Sequence, residues 1–373
     1  MLQFHICAAT PGPAWVYDAY HDLDVAVSLE FYGEDNSTPI DQNRDWHTDE
    51  TLGQKTLLLA VAGPVPADAA IGRHGLPEAP VEPAEVLAAT TLYLPTVDNL
   101  HLLDNVSVLV RQDARRHGLG SALASELRRI AVENGRDTMV GFSQHPLGES
   151  SADEHLVGPD GGGRLPFDGS SRFALATGFG LAQIERQSRL LLPVDPHRLA
   201  ALRAEAEAKA LPAYRVESWV GPTPPALHDG VARMHAALST DAPLGDVDWQ
   251  PELWDAARVQ VRDEQIHRTA RLVTTVAIEV STGEVVALTD FHLPNAHPRR
   301  LEQGTTAVDR AHRGHRLGLL IKVANLQLLA EAQPDAIHVD TWNAGENQWM
   351  LAINTAVGYR LYTLFGIWQT KLG

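Results

Sequence analysis

Two stretches of the chain carry residues suited to holding an anion. Val110-Arg-Gln-Asp-Ala-Arg115-Arg116-His117-Gly118-Leu119-Gly120 lies 198 residues before Val308-Asp-Arg-Ala-His-Arg313-Gly314-His315-Arg316-Leu317-Gly318. At that offset Val110/Val308, Arg115/Arg313, His117/His315, Leu119/Leu317 and Gly120/Gly318 are identical, and Asp104 falls opposite Glu302. In each copy an apolar strand pattern runs into a turn of basic residues and glycine, then into a long helix pattern. A helix N-terminus exposes unpaired N–H groups and the positive end of its dipole. Glycine, lacking a side chain, lets a phosphate approach that backbone. The chemistry is that of a pyrophosphate cradle; the alternative is a plain basic helix cap with a tight turn. Neither Gly-x-Gly-x-x-Gly nor Gly-Lys-Ser/Thr is present, which sets the motif apart from the dinucleotide fingerprint and the Walker loop.

A repeat of this length implies a duplicated domain rather than a solenoid. Each copy reaches a Gly-aromatic pair, Gly178-Phe179 and Gly358-Tyr359, at 58 and 40 residues from its motif glycine. The surplus predicts a loop insertion around residues 146–169, with Gly161-Gly162-Gly163 as a surface turn. The alanine- and glutamate-rich run 196–210, bounded by Pro193, Pro196 and Pro212, predicts a linker helix. The expected organisation is a domain at 1–195, a linker at 196–211 and a domain at 212–373.

The second half reads as strand 213–219, helices 223–238 and 252–268, strands 272–280, 284–293 and 301–308, helix 315–332, strand 337–341, helix 346–357 and strand 360–369. The first half follows with strand 2–7, helices within 13–50, strands 56–62, 86–94 and 106–110, helix 118–134, strand 138–142, a short helix near Arg172 and strand 188–192. Each half is therefore expected to be α+β, a mixed and mostly antiparallel sheet flanked by helices.

The run Val108-Leu-Val110 through Gly120 resembles the acetyl-CoA motif of GCN5-related N-acetyltransferases (GNATs), Arg/Gln-x-x-Gly-x-Gly/Ala. In the second half Thr306-Ala-Val308, His312-Arg313-Gly314 through Gly318, Thr341-Trp-Asn343, Asn347 and Ile353-Asn354, then Gly358-Tyr359, look like the same fold through to its end. The whole chain resembles a tandem acetyltransferase of the actinobacterial, mycothiol-synthase-like type. The resemblance implies acetyl-CoA, or another acyl-CoA, as co-substrate. Main-chain groups at Val108/Val110 and Thr306/Val308 would pair with the pantetheine arm. Amides of Arg115–Gly120 and Arg313–Gly318 would hold the pyrophosphate, Ser121 would add a hydroxyl, and Asn343 and Asn347 would contact the cofactor. The middle glycine of the second motif is Arg316, for which a right-handed helical conformation is expected to preserve the cradle. The family's general-acid tyrosine lies four residues before the Gly-aromatic pair. Ala174 and Asn354 stand there, which leaves Asn354 as the candidate at that position. The first half has no counterpart of the Asn343/Asn347 pair.

Amine acylation needs a proton acceptor for the amine. Asp104 and Glu302 are the candidates, each six residues before a motif valine. On a regular strand they would share its face, a parity that a bulge would break. Glu302 in the second half is the expected catalytic base. Asp290 and Asp340 are weaker alternatives for the base and read more as strand-end caps or solvated groups, His117 and His315 as solvated motif residues, and His292 and His297 as loop residues. No His-Glu-x-x-His or Gly-x-Ser-x-Gly occurs, which disfavours zinc and serine hydrolases, and no metal is expected.

Composition narrows the partners. Forty-seven acids against 30 Lys+Arg give a net charge of −17, which argues against nucleic acid and anionic membrane. Residues 18–50 hold ten acids against Arg44 alone, and 226–256 hold six against Arg233. In the resembled fold the first two helices border the acceptor cleft, so the acids fit a cationic small-molecule amine, or else form a solvated face. Cys7 alone makes no intrachain disulfide and reads as a buried apolar residue. With no signal pattern and no long apolar run, the expectation is a cytoplasmic enzyme, with a non-catalytic acyl-CoA-binding protein as the competing class.

Overall fold

The computed structural model describes residues 2–147 and 154–373. Part of the expected loop insertion, 148–153, lies outside the described residues. The chain forms two compact units, and neither is one continuous segment. The first comprises Met1–Ile184, Gly245–Trp249 and Leu364–Gly373; the second comprises Glu185–Leu244 and Gln250–Thr363.

In the first unit the elements run β1 (Phe4–Ala8), α1 (Trp15–Tyr32), α2 (Ile40–Thr48), β2 (Gly53–Ala62), β3 (Val86–Pro95), β4 (Leu102–Val110), α3 (Leu119–Glu133) and β5 (Thr138–Pro146). A small hairpin, β6 (His155–Val157) with β7 (Arg164–Pro166), encloses the three glycines 161–163. Then come α4 (Gly169–Ala176) and the first half of β8 (Gly180–Leu191). β1 to β4 pair antiparallel in sequence order, and β4 pairs parallel with β5. β2 explains why helices cover both faces. Its Leu57, Leu59 and Val61 pack with Val16, Tyr17 and Tyr20 of α1, while Leu58 and Ala60 pack with Leu119, Leu123 and Leu127 of α3. Alternate residues of a strand point to opposite faces, so a run apolar at every position needs a layer on each side.

The second unit repeats this with the rest of β8, α5 (Pro196–Ala210), β9 (Tyr214–Val220), α6 (His228–Asp241), α7 (Ala256–Thr269), β10 (Ala270–Glu279), β11 (Val285–Pro294), β12 (Arg300–Val308), α8 (Leu317–Ala332), β13 (His338–Ala344), α9 (Gln348–Val357) and the start of β14 (Arg360–Lys371). β9 to β12 pair antiparallel, β12 pairs parallel with β13, and β13 pairs antiparallel with Glu185–Leu191 of β8. Each unit thus has a mixed, mostly antiparallel sheet with helices on its faces.

Two features depart from the expected organisation. The run read as a linker is α5, which packs Leu199, Ala206 and Ala210 into the core formed by α8. That second cover is why α8 buries residues all round rather than on one stripe. The last strand also divides. Its Ile367 and Trp368 are buried in the first unit, beside Leu102 and Val140 and beside Leu165 and Phe179 respectively. The Trp368 indole N–H donates to Ser143 Oγ at 2.6 Å. Among the described residues no helix is long and apolar enough to cross a membrane.

Trp368→Ala is therefore expected to destabilise the first unit by about 3–5 kcal/mol, the usual cost of truncating a buried large aromatic. Hydrogen exchange should show the loss of protection in α3 and β5, although residue 368 lies 225 positions from Ser143. Loss of protection confined to α8 would contradict the assignment of this strand.

Candidate functional site

The two motifs fold alike. β4 leads through a one-turn segment, Gln112–Ala114, into α3, and β12 leads through Arg310–His312 into α8. Both turns need two residues with positive φ. They are Arg116 (65°) and Gly118 (87°) in the first copy, and Gly314 (88°) and Arg316 (61°) in the second. At the 198-residue offset each left-handed position is glycine in one copy and arginine in the other. Arg316 is thus left-handed rather than right-handed helical, as its position just before α8 requires. The left-handed conformation costs a non-glycine residue roughly 1–2 kcal/mol. No hydrogen bond among the described residues uses the N–H groups of Arg116–Ser121 or of Gly314–Leu319. A Cβ added at Gly118 or Gly314 would meet nothing within 4 Å. Both units thus present a turn of unpaired N–H groups, with His117, His315 and Arg316 exposed around it.

The motif arginines Arg115 and Arg313 act as clips. Arg115 donates through Nε to the Val110 carbonyl at 3.1 Å and grips Glu30 of α1 with both terminal nitrogens at 2.6 Å. Arg313 reaches the Val308 carbonyl at 3.4 Å and Asp241 of α6 at 2.7 Å. Gly120 and Gly318 serve packing. A Cβ there would lie 2.9 Å from Phe173 of α4 or 3.1 Å from Ile353 of α9.

Beside each cradle the central parallel strands part. β4 and β5 pair only as far as Val106/Gly141, and β12 and β13 only as far as Glu302/Asp340, although all four strands continue. Val108 and Val110, or Thr306 and Val308, line the diverging edge. A bulge accompanies each parting. Asp104 opposes Tyr93 and Ser107 opposes Thr91, with Asn105 left-handed between them. Gln303 opposes Phe291 and Thr306 opposes Thr289. Each bulge breaks the even-spacing parity that would place Asp104 or Glu302 on the face of its motif valine.

The two candidate bases differ. Asp104 accepts the Asn105 N–H at 2.7 Å and the Trp249 indole at 3.2 Å; burial pushes its pKa up and these bonds oppose the rise. Glu302 is exposed and has no hydrogen-bond partner among the described residues. The atoms crowding its carboxyl, and then the charge of Asp340, raise its pKa above the usual carboxylate value.

Asp290 and Asp340, expected as strand-end caps or solvated groups, are buried. Asp340 accepts from Arg189 Nε at 2.8 Å and from Gln187 at 3.1 Å. Asp290 takes the Thr305 N–H of the bulge at 2.7 Å and Arg262 at 2.5 Å. His292, expected in a loop, lies on β11 beside Asp290 and Arg262. Asp290 thereby holds the second bulge open, and Gly304 is required because a Cβ would lie 2.4 Å from its carboxylate.

Sequence reading missed Lys322. It sits on α8 with a relative exposure of 1% and donates to Gln303 Oε1 at 2.8 Å and Asn354 Oδ1 at 2.7 Å. Tyr359 donates to the same Gln303 oxygen at 3.0 Å, and Asn354 donates to Asn343 Oδ1 at 2.7 Å. Gln303 Nε2 continues to Thr289, whose hydroxyl meets that of Thr306 at 2.9 Å. Asn354 is thus buried in a network that fixes Asn343, while Asn347 caps α9 through Met350 N–H at 3.2 Å. Burial lowers the Lys322 pKa to about 7. A lysine on a mostly apolar helix, with its partners 19 and 32 residues away, gives no local signal. Ser121 lies exposed on the first turn of α3.

Most of the acids expected near an acceptor are already engaged. Glu30, Asp18, Glu50 and Asp241 pair with arginines, and Asp255 caps α7. Asp246 and Asp248 belong to the first unit, where Asp248 pairs with Lys371 and His101.

No family model matches the chain, and no curated protein does. Solved structures do. A tandem GNAT protein from the clavulanic acid biosynthesis pathway, 21% identical, aligns over 100% of this chain and 99% of its own with a TM-score of 0.71. A GCN5-related N-acetyltransferase from Sphaerobacter thermophilus, 13% identical, covers 100% and 97% with a TM-score of 0.60. The chain therefore has the tandem GNAT fold, two consecutive α+β units of that architecture.

Lys322 has a pH signature. Between about pH 7 and its unfolded value near 10.5 the unfolded chain holds a proton on this amine and the folded chain does not. Stability must therefore rise with pH across that window, by up to about 1.4 kcal/mol per unit, and the contribution is lost as pH falls toward 7. Urea titrations of wild type and Lys322→Met at pH 7.5, 8.5 and 9.5 should show that extra slope only in wild type; equal slopes would place the ammonium in the folded state.

Proposed function

We propose that the protein is a cytoplasmic N-acyltransferase that moves an acetyl or other acyl group from acyl-CoA to the amine of a small molecule, by direct transfer in a ternary complex. The observation that carries this reading is the duplicated arrangement of unpaired turn amides beside a pair of parting parallel strands. Amides of Arg116–Ser121 or Gly314–Leu319 would receive the pyrophosphate at a helix N-terminus. The open edge at Val108/Val110 or Thr306/Val308 would pair with the pantetheine amides as an added strand does. Within this proposal the chain is of the mycothiol-synthase-like tandem type, with a cationic amine as acceptor.

The second unit is proposed as the catalytic one. The Glu302 side chain makes no hydrogen bond among the described residues, and its raised pKa makes it a stronger base than an ordinary carboxylate. Asp104, by contrast, is tied to Trp249. Glu302 would take the amine proton directly or through water. The Lys322–Asn354–Asn343 chain would keep the wall of the second wedge rigid. A non-catalytic acyl-CoA-binding protein would share the cradles but show no turnover.

Two sets of variants test this. His117→Glu and His315→Glu place a carboxylate beside the proposed phosphates, while an acid near a helix N-terminus favours the helix. Acyl-CoA affinity measured by calorimetry should fall about tenfold or more in the variant of each occupied cradle. Unchanged affinity in the double variant, with the fold intact, removes the cradle assignment.

Glu302→Gln should lower kcat/KM by roughly 10²–10⁴. The deficit should be largest at low pH and narrow as rising pH supplies free amine. Wild-type activity should itself rise with pH through the Glu302 titration, because only the ionised carboxylate accepts a proton. Asp104→Asn should do much less. Loss of turnover in Asp104→Asn with Glu302→Gln unimpaired would move catalysis to the first unit, and no turnover on any amine in wild type would favour the binding protein.

A further inference from the structure

The first unit has no counterpart of Asn343, Asn347 or Asn354, yet its wedge is not chemically empty. Counted from the paired residues Thr138 and His338, which occupy the same place beside Leu102 and Arg300, the position of Asn343 is held by Ser143. Ser143 lies two residues beyond Gly141, the last residue of β5 paired with β4, at the mouth of the wedge. Its Oγ is 2.6 Å from His145 Nε2. His145 Nδ1 is in turn 2.8 Å from Asp168 Oδ2. Asp168 is anchored through its other oxygen by the N–H groups of Ser170 and Ser171 at the start of α4. In the second unit the position of His145 is Gly345, so the arrangement belongs to the first unit alone.

The bonding orders the three side chains. Asp168, as a carboxylate, requires a hydrogen on His145 Nδ1. The Trp368 indole can only donate, and it donates to Ser143 Oγ at 2.6 Å. The serine hydroxyl can then donate to His145 Nε2 whenever that nitrogen carries no hydrogen. A nucleophile against a base that is itself oriented by a carboxylate is the geometry of an activated serine. His145 is fully buried and Ser143 half-buried.

We propose that Ser143, His145 and Asp168 form a nucleophilic acyl-transfer centre in the first unit, in which the serine takes an acyl group from a thioester donor; delivery of that thioester rests on the proposed placement of acyl-CoA in the first cradle. Ser143 Oγ bonds to the thioester carbonyl carbon as its proton passes to His145 Nε2, and Asp168 stabilises the imidazolium. The C–S bond then breaks, the departing thiolate takes the proton from Nε2, and the products are a free thiol and an O-acyl serine. Water or an amine, deprotonated by the same imidazole, attacks the ester and returns the proton and the free hydroxyl to Ser143.

The test uses the full chain with p-nitrophenyl acetate and, separately, with acetyl-CoA, in the absence of amine. Acid-quenched samples are mapped by peptide mass spectrometry, and p-nitrophenolate or thiol release is followed in parallel. Acetyl on Ser143, or release above the Ser143→Ala rate, is expected with both donors. His145→Gln should abolish it, and Asp168→Asn, which keeps the side-chain volume, should slow it by roughly 10²–10⁴. A response to the ester but not to acetyl-CoA would support the triad and overturn acyl-CoA binding in the first cradle. The triad itself is overturned if neither donor acylates Ser143 nor gives release above the Ser143→Ala rate, or if His145→Gln reacts at the wild-type rate.

Discussion

The site in each unit depends on one constraint: two parallel strands at the middle of a sheet stop pairing while both continue. Unpaired main-chain groups inside a sheet are costly unless something else satisfies them. The parting is held open by side chains. In the second unit the Asp290 carboxylate accepts the N–H of Thr305 and so takes the place of a strand partner. In the first, the hydroxyl of Thr91 donates to the Asn105 carbonyl at 2.8 Å. One bulge is thus pinned through a donor and the other through an acceptor, with the same effect on the strands. The charged solution needs more support, since a fully buried carboxylate is tolerable only with counter-charge, and Arg262 supplies it at 2.5 Å.

The turn that follows each strand shows the same equivalence of means. Two left-handed residues leave a row of N–H groups unpaired, and that row is the proposed cradle. The order of glycine and arginine is reversed between copies, so a pattern search for the middle glycine sees one intact motif and one degenerate motif. The backbone sees two of the same kind. Arginine at such a position loses roughly 1–2 kcal/mol. Arg316 recovers part of it through Glu205 at 2.6 Å, although an exposed pair contributes about 0–1 kcal/mol.

What could be read from the residues was what is encoded locally. The strand–turn–helix motif, the duplication, the alternation of strands and helices and the candidate carboxylates all follow from spacing within short windows. The bulge at Asp104 and Glu302 was legible only as a possibility, because the deciding partners, Thr91 and Asp290, lie on another strand. Long-range closure was not legible. Nothing in the sequence around Trp368 assigns it to the first unit, nor does Gly245–Trp249 advertise that its tryptophan will hold Asp104. Lys322 is the clearest case. On a helix with Leu319, Leu320, Ile321 and Val323 it reads as one of a few polar residues on a core helix. Its meaning comes from Gln303, Tyr359 and Asn354, which only the fold brings within reach.

The two units have kept the backbone device and exchanged the chemistry around it. Where the second has Asn343 fixed by Asn354 and a buried lysine, the first has Ser143 against His145 and Asp168. An amide network can orient and donate but cannot accept a proton from a nucleophile at neutral pH; a neutral imidazole can. Conversely, the first unit's carboxylate at the bulge is bonded to an indole, whereas the side chain of the second unit's makes no hydrogen bond among the described residues. On the two proposals above, the proton acceptor at the first wedge would be the His145 imidazole and that at the second the Glu302 carboxylate. A pair of redundant copies would be expected to hold the same acceptor in both. If both proposals hold, the acceptors are divided by type, which would fit two units that handle different partners.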